Sequence, residues 1–289
     1  MKKKVYCILL LFYFFIFHSS CTKEIDFDYN EVTPLVMIEG RVTNEGCEVL
    51  ITKTRSVTDS VKSPCLQGAE VAITAEGVNE ILSYDTISHS YRSSFCGTPG
   101  QTYHLSITFE GCHYEGTSTM PAPAPIKSTE FLWQSIMDER LLAFEVWAHD
   151  LEPNERNYYW YRMDRYSKHP HFEKKPIKGA YRWNVFDDRG CPPGLIYRDV
   201  MCMSERAAEE DEEENWKSIL YEGDSITFTL MTIDEPSYEF FRSLRAGQSG
   251  GANPTSNLTG SSCLGYFTAT SITHAEPIVF SYDSIKTSR

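Results

Sequence analysis

Basic residues are scarce in this chain of 289 residues: 27 Lys and Arg stand against 40 Asp and Glu, a formal net charge of -13. That balance repels a phosphate backbone, so no nucleic-acid partner is expected. Metal motifs are missing as well. No CxxC pair occurs, and the close histidine pair in His169-Pro170-His171 is interrupted by a proline that spoils a strand-like ligand face. There is no GxSxG elbow, no HExxH and no P-loop. Gly247-Gln248-Ser249-Gly250-Gly251 has the look of a protease nucleophile loop, but that chemistry needs a His base and an Asp orienter, and a helix C-cap accounts for these glycines equally well. Acidic residues are too numerous for a catalytic carboxylate pair to be picked out. Gly 17 and Pro 14 are ordinary counts, which excludes a collagenous or wholly disordered chain. No repeat of solenoid period is present. The expectation is a protein that is not an enzyme, with no catalytic residue, metal or diffusible cofactor.

A run of about 20 apolar residues, the length a membrane-spanning helix needs, is also lacking. What is present is shorter: Lys2, Lys3 and Lys4, then the apolar Val5 to Phe17, then Ser19 and Ser20 before Cys21. Residues 1–20 read as a signal peptide. The segment resembles a bacterial lipobox, with His18 where an aliphatic residue is usual, and this implies cleavage before Cys21 and a covalent lipid on its thiol. The alternative is a different cleavage site with Cys21 as an ordinary thiol. Each buried acyl CH₂ contributes about 0.8 kcal/mol, and two or more chains anchor a protein stably. Loss of the three lysines takes the mature chain to about -16, which argues against docking on anionic headgroups. Cys21-Thr22-Lys23-Glu24-Ile25-Asp26 resembles the export signal that sends Bacteroidota lipoproteins to the cell surface; the alternative is a plain polar tether.

After a tether over 21–33, short strand-like runs bounded by turn residues predict a mostly β protein. Leu35 to Thr43, Glu48 to Arg55, Ala69 to Ala75, Gln101 to Phe109 and Tyr114 to Met120 suggest an N-terminal antiparallel sandwich of Ig-like type over 34–120. Pro121-Ala122-Pro123-Ala124-Pro125 favours extended polyproline conformation, and 121–126 reads as a linker. A second, larger β-rich domain is expected over 127–283, with a tail at 284–289. Its strand-like runs are Leu141 to Ala148, Asn157 to Tyr166, Ser225 to Ile233, Leu264 to Ile272 and Ile278 to Tyr282, with one short capped helix over Pro236 to Ala246. Residues 168–215 read as a long irregular loop, and its acidic run Glu209 to Glu214 as a solvated face.

Two groups of residues invite a role. With Cys7 removed and Cys21 lipidated, seven cysteines remain, and an oxidising compartment permits disulfides. Cys96 with Cys112 and Cys191 with Cys202 are candidate staples, each worth roughly 2–4 kcal/mol; sequence alone does not fix pairing. Tyr158, Trp160, Tyr181 and Trp183 form a candidate binding surface for a glycan or a peptide ligand. Alternation sends Tyr159, Tyr161 and Met163 to one face and Tyr158, Trp160 and Arg162 to the other, so the competing role for these rings is core packing.

A family resemblance joins these pieces. Ile38-Glu39-Gly40-Arg41-Val42-Thr43, Gly68-Ala69-Glu70-Val71 and Gly100-Gln101-Thr102-Tyr103-His104-Leu105 stand in the first part. Tyr238-Glu239-Phe240-Phe241, Asn257-Leu258-Thr259-Gly260 and Leu264-Gly265-Tyr266-Phe267-Thr268-Ala269 stand in the second. In this order they resemble the Bacteroidota lipoproteins with the domain of unknown function 4249. The resemblance implies an outer-membrane lipoprotein, often encoded beside TonB-dependent receptors, with no established catalytic residues. It also implies a first domain similar to carboxypeptidase-regulatory sandwiches, which serve as docking modules. The expected role is a non-enzymatic accessory or binding subunit of a TonB-dependent nutrient uptake system. A stand-alone surface glycan-binding or adhesive lipoprotein is the alternative.

Overall fold

Val36, Ile38 and Val42 are buried along the first strand while Glu39 and Arg41 are not, and this period of two recurs through most of the chain. The computed structural model describes residues 33–55, 63–168, 177–210, 217–247 and 254–287. The expected signal peptide, Cys21 and the expected tether up to residue 32 lie outside them, as do His169-Pro170-His171, the acidic run from Asp211 to Glu214, and residues 248–253.

Ahead of the proline segment run β1 (Val36–Thr43), β2 (Gly46–Lys53), β3 (Glu70–Ala75), β4 (Val78–Ile81), β5 (Ser83–Asp85), β6 (Ser90–Ser93), β7 (Thr102–Phe109) and β8 (Cys112–Thr119). After it come β9 (Ile126–Ile136), β10 (Glu139–His149), β11 (Tyr158–Ser167), β12 (Ile177–Asp187) and β13 (Leu195–Ser204). Helix α1 (Glu205–Glu210), β14 (Ser225–Ile233) and helix α2 (Glu235–Gly247) follow. The chain closes with β15 (Leu258–Gly260), β16 (Cys263–His274), β17 (Ile278–Val279), a 3-10 turn at Tyr282–Ser284 and β18 (Lys286–Thr287). The protein is mostly β, as its sequence pattern indicates.

Among the described residues the strands form three sheets. The nine-stranded one runs β12-β11-β14-β16-β1-β2-β6-β5 with β17 attached to β14; a four-stranded sheet runs β13-β10-β9-β18 and a five-stranded one β15-β8-β7-β3-β4. Packing against the five-stranded sheet creates one core, containing Ile38, Val49, Ile73, Tyr103 and Ile107. Packing against the four-stranded sheet creates another, containing Phe144, Tyr159, Tyr161, Phe228 and Phe280. Each such side chain, when fully buried, contributes about 1.5–3 kcal/mol.

The proline segment marks where one core gives way to the other: Met120 belongs to the first and Ala124 to the second. Strands β15 and β16 then cross back. β15 pairs with β8, and β16 lies parallel to β1 along its whole length, Val36 opposite Cys263 through Thr43 opposite Thr270. Phe267 and Ala269 of β16 thereby complete the first core. Residues from Pro34 to Arg289 accordingly make one compact unit. Gly265 makes this pairing feasible: its φ is +115°, and a Cβ there would lie 1.8 Å from the Ile38 carbonyl oxygen.

Two expectations from the sequence are corrected. Residues 168–215 are not an irregular loop, because β12 and β13 lie within them. Their faces carry Lys178, Arg182, Asn184, Arg198 and Asp199 beside the apolar residues, and the Pro192-Pro193-Gly194 turn draws attention from the flanking strands. The run Ile278 to Tyr282 contains only a two-residue strand before the chain turns into a 3-10 helix. The expected helix forms. Asp234 Oδ1 accepts from Ser237 N at 3.1 Å, which caps the start of α2, and Gly247 ends it.

Candidate functional site

Alternation along β11 decides which rings can meet a ligand. Tyr159, Tyr161 and Met163 point into the second core, and Tyr158, Trp160 and Arg162 point outward. Directly opposed residues on antiparallel strands share a face. Trp160 is opposite Val185 and Arg162 is opposite Trp183, so both tryptophans and Arg162 occupy one side of the large sheet.

Helix α2 lies across that side. Phe241 packs on Trp160 with ring centroids 4.4 Å apart, and on Tyr266 at 4.7 Å. Phe240 meets Tyr266 at 4.9 Å, and Tyr238 meets Tyr158 at 4.8 Å. Tyr158 is thereby occupied, its hydroxyl donating to Glu235 at 2.9 Å. The helix covers only part of the sheet, and a groove of about 660 Å³ remains between them. Met37, Glu39 and Arg41 of β1 form one side; Trp160, Arg162 and Trp183 form the other; Phe240, Phe241, Leu244 and Tyr266 complete it.

The charges on the groove wall are largely matched. Arg41 pairs with Glu48 at 2.5 Å and Arg162 with Asp164 at 2.8 Å. Burial pushes the Glu39 carboxyl above its ordinary value of 4.5, opposed by Arg41 and reinforced by Glu48. Burial also raises the Tyr266 hydroxyl, so that ring stays neutral. The indole N–H of Trp160 is buried without a hydrogen-bond partner. Aromatic faces with a few polar groups at the margin suit a ligand that has a flat apolar face and polar edges.

Of the four aromatics singled out in the sequence, Trp160 and Trp183 line this groove, while Tyr158 packs on Tyr238 of α2 and is not among its lining residues. Tyr181 does not join them. The register of β11 with β12 shifts between Met163 and Asp164, opposite Arg182 and Ala180, so Tyr181 is the extra residue of a bulge. It turns to the second core, where its hydroxyl donates to the Cys202 and Ser218 carbonyls at 3.0 and 2.6 Å. Phe241 and Tyr266 escape a sequence reading as groove residues, since helical periodicity and a strand pattern account for them locally.

A family model, the domain of unknown function DUF4249, matches residues 22–276. The chain belongs to this family. No curated protein is significantly similar to it. Among solved structures, the chicken interferon gamma receptor alpha chain matches with a TM-score of 0.19 and 6% identity, covering 70% of this chain and 90% of the receptor chain. At those values the likeness says nothing about what a DUF4249 protein binds.

The cysteines of this DUF4249 protein do not form the expected staples. Cys47, Cys65, Cys96, Cys112, Cys191, Cys202 and Cys263 are all free thiols. Cys96 lies near the Tyr103 end of β7, because Gly97 N donates to Thr43 O and Thr98 N to the Tyr103 hydroxyl. Cys112 lies opposite Phe109 at the other end. The 8 residues of β7 separate them by roughly 24 Å, against a limit of about 7 Å between Cα atoms in a disulfide. Cys191 folds back on the Tyr197 carbonyl at 3.8 Å, and Cys202 is further along the same strand by roughly 16 Å. Cys202 is buried in the core, which pushes its thiol up to about 12. Among the described residues, no group of three or more His, Cys, Asp or Glu is placed to hold a metal. No helix among them is long and apolar enough to cross a membrane.

Proposed function

We propose that this protein is a lipid-anchored binding protein of the bacterial outer membrane, attached through Cys21, displayed outward, and working without catalysis as the accessory subunit of a TonB-dependent nutrient uptake system. The groove between α2 and the outer face of the large sheet carries this reading. Its ring faces, Trp160 and Trp183 above all, can stack on a nutrient, while matched charges keep its walls from attracting bulk cations. The N-terminal pattern of lysines, apolar run and Ser19-Ser20-Cys21 supports the anchor.

The test is to cross-link intact cells, purify the full-length lipidated protein in mild detergent and identify co-purifying proteins by mass spectrometry. Near-stoichiometric recovery of a TonB-dependent barrel is the expected result. Recovery of this protein alone, under conditions where known complexes survive, overturns the accessory role and leaves a self-sufficient surface binder. The anchor is tested separately: Cys21→Ala should release the protein from membranes, and unchanged fractionation removes that part of the proposal.

A glycan-binding role without a receptor is the second reading, favoured by Arg245 lying over the Trp183 ring at the groove's edge. Saccharide-dependent quenching of tryptophan fluorescence without a receptor complex would support it.

A further inference from the structure

Trp183 has a second neighbourhood. At the open side of the second sandwich, edge strand β12 faces edge strand β13, and a cavity of about 420 Å³ lies between them. Arg182 of β12, Arg198 of β13 and Arg245 of α2 all line it, together with Tyr161, Trp183 and Asp199. In a mature chain of about -16, three guanidinium groups converge on one small space.

Their charges are not cancelled. None of the three has a carboxylate partner within ion-pair distance among the described residues, unlike Arg41, Arg162, Arg189 and Arg242. Arg182 donates only to backbone carbonyls, to Met201 at 3.2 Å, Tyr181 at 3.0 Å and Cys202 at 2.5 Å, which fixes its position without neutralising it. Arg245 donates to the Trp183 carbonyl at 3.1 Å and lies over the Trp183 ring at 5.2 Å. Arg198 lies over Phe186, and its Nε is buried with no hydrogen-bond partner. Asp199, the single carboxylate in the lining, accepts from the Tyr197 hydroxyl at 2.7 Å and from Gln134 at 2.8 Å. The Tyr161 hydroxyl feels all three arginines, each of which favours its ionised form against burial.

Three guanidinium groups held by carbonyls and rings, with donors left over, form a receptor for an oxyanion, a carboxylate or a sulfate. Trp183 and Arg245 join this pocket to the aromatic groove, so one ligand can lay a ring against tryptophan and place its charge among the arginines. A pyranose bearing a carboxylate or sulfate has both features. A peptide of acidic residues has the charge but no extended apolar ring face for stacking. We propose that the protein binds an acidic saccharide, a uronate or sulfated sugar, with its anionic group held by Arg198 and Arg245 beside Trp183. This rests on the groove's being the ligand site.

The test uses the full-length protein in mild detergent and calorimetry with three probes: tetragalacturonate, a chondroitin sulfate tetrasaccharide and a heparin tetrasaccharide. Methyl-esterified tetragalacturonate and a tetraglutamate peptide serve as comparisons. At least one acidic saccharide should bind about tenfold or more tightly than the esterified sugar and the peptide. Arg198→Gln and Arg245→Gln should each weaken it about tenfold. Arg242→Gln, on the same helix and paired with Glu239, should leave binding unchanged. Retained melting temperatures show that the variants fold. Binding of the esterified sugar as tightly as the acids overturns the anionic assignment while leaving the groove reading intact. Preference for the peptide overturns the saccharide assignment, and failure of all three acidic probes overturns it too. Receptor co-purification judges the uptake role independently of each of these results.

Discussion

Trp160 and Phe241 pack with ring centroids 4.4 Å apart and planes 30° from parallel, and this contact fastens α2 to the outer face of the large sheet. Phe241 also meets Phe240 and Tyr266, at 5.3 and 4.7 Å, and belongs to a small apolar cluster, separate from the two cores, with Met231, Ile233 and Tyr238. Truncating a buried phenylalanine loses its transfer energy and leaves a cavity. Phe241→Ala should cost about 3–5 kcal/mol in urea unfolding and shift tryptophan emission to the red as Trp160 becomes wetter. An unchanged midpoint with unchanged emission would show that the helix is held by something else.

Gly265 permits the parallel pairing of β16 with β1. A side chain there meets the Ile38 carbonyl at 1.8 Å, and the backbone has a φ of +115° that L side chains rarely adopt. Gly265→Ala should therefore give little soluble protein, and what is recovered should be cut far faster by limited proteolysis. Wild-type yield and protease resistance would contradict the close approach.

Ser118 ties three elements together. Its hydroxyl donates to Asp234 at 2.6 Å and accepts from Ala269 N at 2.8 Å, and Asp234 in turn caps α2. Ser118→Ala strands the buried Ala269 amide and removes the shorter of two donors to Asp234 Oδ2, leaving Thr119 N at 3.3 Å. The expected loss is about 1–3 kcal/mol, read as a lowered melting temperature; a Ser118→Ala protein melting with the wild type would contradict it.

The thiols should separate by burial. Desolvation pushes both Cys47 and Cys202 up to about 12, which leaves almost no thiolate at pH 8. Cys96 and Cys112 are exposed. Iodoacetamide added to native protein should modify Cys96 and Cys112 first, and Cys47 and Cys202 only after denaturation, as peptide mass mapping would show. Resistance of Cys96 and Cys112 to labelling until a reductant is added would mean that they are disulfide-bonded.

Glu39 carries a pH-dependent cost. Burial raises its folded value above the ordinary 4.5, so the fold favours the protonated acid. The stability this contributes is present below pH 4.5 and is lost as pH rises through the folded value. Glu39→Gln should accordingly melt at a higher temperature than the wild type at pH 7 and at about the same temperature at pH 4. A variant less stable than the wild type at pH 7 would show that the ionised carboxyl is needed, most simply by Arg41.

Much of the fold is legible in local pattern. The alternation in β1, β7, β11 and β14 names both the strands and their buried faces, and Asp234, Pro236 and Gly247 mark the helix ends. β12 and β13 are not legible, because polar residues interrupt their apolar faces and a proline-rich turn lies between them. The site divides in the same way. Trp160 and Trp183 stand out as exposed-face aromatics, whereas a bulge turns Tyr181 away from the groove and into the lining of the arginine cavity. Arg182, Arg198 and Arg245 lie far apart in sequence, with no shared motif, and only the facing of β12 by β13 and the reach of α2 unite them.

By itself the sequence determined the strand periodicity, the helix and its caps, the acidic balance and the N-terminal lipobox-like segment, because each depends on neighbours within a few residues. Tertiary structure decided the rest. It placed β16 beside β1, exchanged strands between the two cores, kept the cysteines apart and laid α2 over part of one face. These depend on long-range register and close backbone approach, which a chain settles only when distant segments compete to bury the same apolar surface.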